Sequence, residues 1–151
     1  MAVRTIRLEG DPILRKRCRE TEGVDAHIRL LLRDMADTLA ATENGAGLAA
    51  CQVGILRRLI VIDMGDGPFY LVNPVLIDKS GRQNCVEGCL SFPGRFYTTV
   101  RPRRVVIEAL DEHGRPRRLT GEGDLAKCFC HELDHLDGIL LPDRATGRFT
   151  P

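Results

Sequence analysis

The segment KCFCHELDHLDG, residues 127–138, predicts the element around which the rest of the chain is organised. Its core, HELDH at residues 131–135, has the HExxH pattern of a helix that binds a divalent metal ion. Positions i and i+4 of an α-helix lie one turn apart on the same face, so His131 and His135 can bind the same ion. Glu132 lies close to that face, near enough to reach a water on the ion without binding the ion itself. The segment therefore predicts a catalytic metal site.

Two histidines alone do not complete such a site, because a catalytic zinc-type centre usually has three protein ligands and a water. Metzincin proteases would place a third histidine where this chain has Leu141. Thermolysin-like proteases use a glutamate farther downstream, and no glutamate follows Glu132 in this chain. Asp143 stays open as a candidate, although Pro142 and the short tail give it little support. We therefore expect a third ligand from elsewhere in the chain.

The other candidates come from six cysteines, which we expect to be reduced thiols, because a chain of this size does not need disulfides. Cys128 lies on the histidine face, but it is about 10 Å along the helix axis from His135, which is far for a short side chain. Cys130 points roughly to the opposite side of the helix, so both are interpreted as packing residues. Cys89 is modestly favoured as the third ligand, because it follows Gly88 and glycine allows close approach of the backbone. The candidates left open are Cys18, Cys51, Cys85 and Cys89.

The composition indicates one folded unit without a strongly charged partner. The length is about that of one domain, and we expect residues 1–151 to form a single domain. The 22 Lys and Arg residues balance 21 Asp and Glu residues, so no global field would attract nucleic acid or an acidic membrane. The arginines between residues 101 and 118 are interpreted as solvated strand and turn positions. No apolar run approaches the roughly 20 residues needed to span a bilayer, and we expect a cytoplasmic protein.

Apolar periodicity predicts helices at both ends of a group of strands. An amphipathic helix is predicted over residues 25–43, with Asp25 as its cap and Asn44-Gly45 at its end. A second helix over residues 123–137 carries the histidines, and Gly138 fits its C-terminal end. Because the strands are grouped between two helices, the order favours an α+β fold with antiparallel sheet. The strands are predicted over residues 57–64, 69–77, 103–110 and 116–119.

Three motifs occur in order along the chain: GAGLAACQ at residues 45–52, EGCLS at residues 87–91 and HELDH at residues 131–135. With these motifs the chain resembles the peptide deformylases, metallohydrolases that remove the N-formyl group from nascent polypeptides. The resemblance covers residues 4 to about 144. Any one motif would be weak evidence of the resemblance, but three motifs in the family's order are strong evidence.

The resemblance implies antiparallel β-sheets packed around a central metal-binding helix, with the N-terminal amphipathic helix beside them. It implies one divalent ion, with Fe²⁺ first and Zn²⁺, Ni²⁺ or Co²⁺ able to occupy related sites. It also implies that Glu132 moves the proton, and that the side-chain amide of Gln52 and the backbone N–H of Leu90 stabilise the developing oxyanion. The ligands implied are Cys89, His131 and His135.

The substrates implied are N-formylmethionyl nascent peptides, with transient proximity to the ribosome and no direct binding of nucleic acid. We expect a narrow site beside an apolar slot for a methionine-like side chain. The chain departs from the family at Cys130, where glutamine is usual, and we expect a change in packing with activity retained. Glu87 is interpreted as a structural partner of an arginine, with Arg101 as the candidate. The slot is assigned to Ala46, Gly47, Phe96 and Cys128.

Two other functions compete with this interpretation. An ordinary metallopeptidase shares the HExxH pattern but requires a downstream third ligand. A non-catalytic, metal-stabilised binding domain is disfavoured by Glu132 and Gln52, because structural metal sites need neither residue.

Overall fold

Antiparallel strands outnumber helices in the structure, a computed structural model that describes residues 2–150. Within that range the helices are α1 (Ala26–Ala40), α2 (Asp124–Leu136) and α3 (Leu141–Arg144). The strands are β1 (Gly47–Ala49), β2 (Leu59–Ile62), β3 (Phe69–Ser80), β4 (Gln83–Cys89), β5 (Phe92–Arg101), β6 (Arg104–Leu110), β7 (Pro116–Glu122) and β8 (Ala145–Phe149).

The strands form two separate sheets. A five-stranded sheet has the order β1-β2-β3-β6-β7, and a three-stranded sheet has the order β4-β5-β8. Every pairing between these strands is antiparallel. The α+β class with antiparallel sheet that the sequence predicts is therefore confirmed. None of the helices in residues 2–150 combines the length and the apolar character needed to cross a membrane.

The five-stranded sheet is covered on both faces. Successive side chains of a strand point to opposite faces, and all four residues of β2 are buried. Leu59 and Val61 pack in one cluster with the apolar face of α1, while Ile60 and Ile62 pack in another with Phe129 of α2. Helix α2 therefore packs against one face of the sheet, where it contacts β1 and β7, and α1 packs against the other face.

Helix α1 begins where the sequence predicts but ends earlier. The Asp25 side chain accepts a hydrogen bond from the Ile28 N–H at 2.8 Å and so caps the first turn. The predicted end at Asn44-Gly45 is wrong, because the helix ends at Ala40. The Thr42 hydroxyl donates to the Leu39 carbonyl at 2.7 Å and accepts from the Gly45 N–H at 3.1 Å, which turns the chain away.

Helix α2 agrees closely with its predicted range. It begins after Gly123 and ends at Leu136. Gly138 then adopts a φ of 73°, in the left-handed region where glycine is favoured. A Cβ at Gly138 would also lie 2.5 Å from the Arg15 carbonyl oxygen. The N-terminal segment therefore crosses directly over the end of the helix.

Candidate metal centre

Three side chains from two elements converge beside α2. The ligand atoms of Cys89, His131 and His135 all lie within 4.8 Å of one another, and Cys89 Sγ is 3.4 Å from His135 Nε2. Cys89 ends β4 at a break in the register with β5, between Gly88 and Cys89. One thiolate and two imidazoles at this spacing are a ligand set compatible with zinc or iron.

The charges around these side chains also suit a cation. Burial alone would lower the pKa of His131, yet Glu132, Cys89 and Glu87 around it raise that pKa well above its ordinary value. Burial, together with His131 and Arg101, lowers the pKa of His135 to about 3, so this imidazole is neutral, as a metal ligand must be. The residues present therefore fit a divalent ion.

Glu87 fixes the orientation of His131. The His131 Nδ1 atom lies 2.8 Å from Glu87 Oε1, and an ionised carboxylate can only accept, so Nδ1 carries the proton. In the neutral imidazole that a metal ligand must be, Nε2 is then the free ring nitrogen. Arg101 donates to both oxygens of Glu87, at 2.8 and 3.0 Å, and the Thr99 hydroxyl donates to one of them. Such partners set the tautomer and the direction of a ligating histidine.

The network continues through Arg101 to the C-terminal segment. Arg101 donates to Asp134 at 2.8 Å, and Arg144 of α3 donates to the same carboxylate at 3.0 and 3.1 Å. The interpretation of Arg101 as a solvated arginine is therefore wrong, because the residue is 5% exposed and holds two carboxylates. The pairing of Glu87 with Arg101 that the sequence suggests is present. Asp134 and Arg144 were not singled out from the sequence.

Glu132 is buried beside the three converging side chains. Burial raises the pKa of Glu132 to about 7, against the opposing effect of His131. Its Oε1 atom has no hydrogen-bond partner among the described residues. A carboxylate with a pKa near neutrality can both accept and donate a proton at physiological pH.

Gln52 lies in a 3-10 turn that follows β1 and is almost completely buried. Its Oε1 accepts from the Ala49 N–H at 3.0 Å, and its Nε2 donates to Ser91 Oγ at 3.1 Å. The same Nε2 lies 3.7 Å from Cys89 Sγ. The amide is therefore held in one direction, toward the converging side chains. Ser91 was not singled out from the sequence, although it is the last residue of the EGCLS motif.

A cleft of about 690 Å³ opens over this group of residues. The segments around residues 43–47 and 87–96 form two of its walls, and α2 forms the third. Of the residues singled out from the sequence, its lining includes Ala46, Gly47, Gln52, Cys89, Leu90, Phe96, Cys128, His131 and Glu132. His135 lies beneath the lining and is 1% exposed.

Among the described residues, neither Asp143 nor any of the other five cysteines joins the group of ligand atoms formed by Cys89, His131 and His135. Asp143 supplies no ligand atom to the centre, because its carboxylate accepts hydrogen bonds from Arg15 and from the Leu140 N–H, the latter at 2.9 Å. Cys130 packs against the core cluster that contains Phe129 and does not line the cleft. The three side chains whose ligand atoms the structure brings together all belong to the EGCLS and HELDH motifs.

Comparisons with known proteins, by sequence and by fold, identify the same family of proteins. The sequence model of the family described as polypeptide deformylase matches residues 3–149. Peptide deformylase 2 of Clostridium acetobutylicum is 57% identical over 146 residues, covering 97% of each chain. A peptide deformylase of Acetivibrio thermocellus is 51% identical over 144 residues, covering 95% of this chain and 84% of that protein.

Solved structures resemble this chain over nearly its full length. The crystal structure of peptide deformylase from Thermotoga maritima superimposes with a TM-score of 0.93 at 36% identity, covering 97% of this chain and 99% of that one. A peptide deformylase from Legionella pneumophila gives 0.90 at 41% identity, covering 96% and 87%. The family match, the near-complete coverage of these relatives and the shared fold together show that the chain belongs to the polypeptide deformylase family.

Proposed function

We propose a role for the main cleft residues in the family's reaction. That reaction is the hydrolytic removal of the N-formyl group from the formylmethionine of newly made polypeptides, with release of formate. The chain is a metal-dependent amide hydrolase of this family. The observation that carries the assignment of roles is the convergence of Cys89, His131 and His135 beside the buried carboxylate of Glu132.

Cys89, His131 and His135 would hold a single divalent ion, which we propose to be Fe²⁺. Zn²⁺, Ni²⁺ or Co²⁺ would fit related ligand sets, and a thiolate with two imidazoles is compatible with iron and with zinc. When bound, such an ion lowers the pKa of its water to about 7 and polarises a carbonyl oxygen. Glu87 and Arg101 keep His131 in the ligating tautomer.

Glu132 would accept a proton from the water that attacks the formyl carbon. Its buried carboxylate has a free oxygen for that proton and a pKa of about 7. It would then deliver the proton to the departing amine, so that the residue acts first as base and then as acid. Acid–base catalysis of this kind typically contributes about 10²–10⁴-fold in rate.

Gln52 and Leu90 would stabilise the oxygen that becomes negative in the transition state. The Gln52 side-chain amide is already oriented by Ala49 and Ser91, so it loses little freedom when it donates. The Leu90 backbone N–H follows directly after Cys89 in the cleft wall. Donors placed in advance act more strongly than donors that must reorganise.

An apolar slot beside the centre would receive the first side chain of the substrate. Ala46, Gly47, Phe96 and Cys128 all line the cleft and carry no charge. A methionine side chain fits such a lining because it is unbranched and flexible. We also infer that residues 1–151 act as one domain in the cytoplasm, in transient proximity to the ribosome, where formylated chains emerge.

Formate release from matched peptides tests this function. A formylmethionyl peptide should yield formate and a free amino terminus, whereas the acetyl counterpart should react far more slowly because of its extra methyl group. Cleavage of internal peptide bonds without formate would instead support an ordinary metallopeptidase. That alternative lacks its downstream ligand, since Asp143 is bound to Arg15. Absence of any turnover in iron-loaded protein prepared without oxygen would support a non-catalytic domain.

A further inference from the structure

The metal-binding face of α2 continues beyond the histidines toward the start of the helix. Residues of an α-helix are about 100° apart, so Lys127 lies about 40° from His131 around the axis, and Asp124 about 20°. Both residues line the same cleft as His131. The face that carries the histidines therefore continues to a charged pair that also lines the cleft.

Lys127 is positioned to interact with something inside the cleft. Its side chain is 28% exposed, so most of its stem is covered by protein. Its Nζ atom lies 3.6 Å from Asp124 Oδ1, whose side chain is 82% exposed. A pair with so exposed a partner is weak, and the ammonium group keeps donors for another acceptor.

The other charges that line the cleft are engaged or lie elsewhere. Arg95 forms an ion pair with Glu9, and Glu87 is held by Arg101 and His131. Glu43 is exposed on a different wall. Of the Lys and Arg side chains among the described lining residues, Lys127 is the one with the more exposed partner, because Asp124 is 82% exposed and Glu9, the partner of Arg95, is 46% exposed.

The distance along the helix indicates which part of a substrate reaches Lys127. Four residues at 1.5 Å each separate Lys127 from His131 by about 6 Å along the axis. An extended peptide advances about 3.3 Å per residue, so two residues cover that distance. If the formyl group lies at the centre and the peptide runs along α2 toward its N-terminus, the Cα atom of Lys127 is level with the residue that follows the formylmethionine.

We propose that Lys127 is a specificity-determining residue that binds an acidic side chain at the second position of the substrate. This inference rests on the proposed function of the cleft. Asp124 competes with the substrate for the ammonium group, so removing its charge should strengthen the preference. The interaction is made in the bound substrate and in the transition state alike, and it should therefore change KM and leave kcat the same.

The test compares formylmethionyl peptides with glutamate or glutamine in second position, both with amidated C-termini, by formate release. In the natural protein the glutamate peptide should have a KM lower by about two- to fivefold, the range of partly exposed ion pairs. Lys127→Met, which keeps the length of the stem, should remove the difference. Asp124→Asn should enlarge it, and about 1 M salt should abolish it.

A matched control is Lys16→Met, because Lys16 is an exposed lysine outside the cleft. This variant should keep the full preference for glutamate. Equal KM values for the two peptides in the natural protein would overturn the role of Lys127, as would a preference that persists in Lys127→Met. No formate from any peptide would overturn the proposed function itself, a result distinct from formate released without discrimination.

Discussion

Gly47 lies directly against the carboxylate of Glu132. A Cβ at Gly47 would be 2.7 Å from Glu132 Oε2 and 3.0 Å from its Cγ, and also 3.0 Å from Cys128 Sγ. The backbone of β1 therefore forms a wall that holds the carboxylate in one place. The φ of Gly47 is not positive, so its backbone would accept alanine, and the strain would fall on the contacts with Glu132 and Cys128.

Gly47→Ala should therefore leave a folded protein with a displaced Glu132. A shift of about 1 Å in a catalytic group can cost on the order of 10²-fold in rate, and we expect a loss of that size in kcat/KM. Formate release and thermal unfolding, measured together, check this. Gly147→Ala is the control, because its Cβ would meet only Thr98 Oγ1, at 3.2 Å. Equal activity of the two variants would contradict the role of the wall.

Glu132→Gln should keep the metal and lose nearly all turnover. The amide has the shape of the carboxylate but cannot accept a proton, so we expect a loss of about 10²–10⁴-fold in kcat. Metal content and formate release on the same sample check this. Loss of the metal with the activity would mean that Glu132 is itself a ligand.

Cys89→Ser should bind the divalent ion much more weakly, because it replaces the only thiolate among the three converging groups. Cys130→Ser is the matched control, since Cys130 packs against the core outside the cleft. The ratio of metal to protein after dialysis distinguishes the two. Retention of a full equivalent of metal in Cys89→Ser would refute the assignment of this ligand.

Gln52→Ala should lower kcat by about 10²–10³-fold, the usual cost of one lost oxyanion donor. The affinity for the metal should change little, because Nε2 is 3.7 Å from Cys89 Sγ and is not one of the ligands. Single-turnover measurements at saturating substrate check this. A change confined to KM would show that Gln52 only binds the substrate.

Glu87 should make the stability of the metal-free protein depend on pH in acid. Burial opposes its charge, but His131 and Arg101 outweigh burial and lower the pKa of Glu87 from 4.5 to about 2. A lowered pKa in the folded state stabilises the protein above the unfolded pKa, and that stabilisation is lost as the pH falls through the folded value.

The comparison of the natural protein with Glu87→Gln isolates this effect. At neutral pH the variant should be less stable by about 3 kcal/mol, because it leaves the buried Arg101 without one of its partners. The difference should shrink as the pH falls from 4.5 toward 2. Denaturant titrations at several pH values check this, and a difference independent of pH would contradict it.

The sequence predicts well the parts of the fold that have an apolar face. Helix α2 and the hairpin of β6 and β7 follow from their periodicity, as does α1 apart from its end. The three-stranded sheet was missed because several of its buried positions are polar, namely Glu87, Thr99 and Arg101. Apolar alternation cannot reveal a strand whose inner face forms an ion-pair network.

The site was predictable only in part for a similar reason. Helix geometry alone selects His131, Glu132 and His135, because these residues are adjacent on one helix. Cys89 lies on a different element, and its approach depends on the register break at the end of β4. Spacing along the chain left it among four cysteines, and the motif resemblance singled it out. The role of Arg144 cannot be predicted from its neighbours in sequence, because the folded chain brings it to its partner Asp134.

The central claim is that one divalent ion, held by Cys89, His131 and His135, is required for formate release. The most direct test titrates the ion into chelated protein without oxygen and follows formate release from a formylmethionyl peptide. We predict that formate release rises in proportion to bound ion and reaches its maximum at one equivalent per chain. Full formate release from ion-free protein, or a maximum only at two equivalents, would contradict the claim.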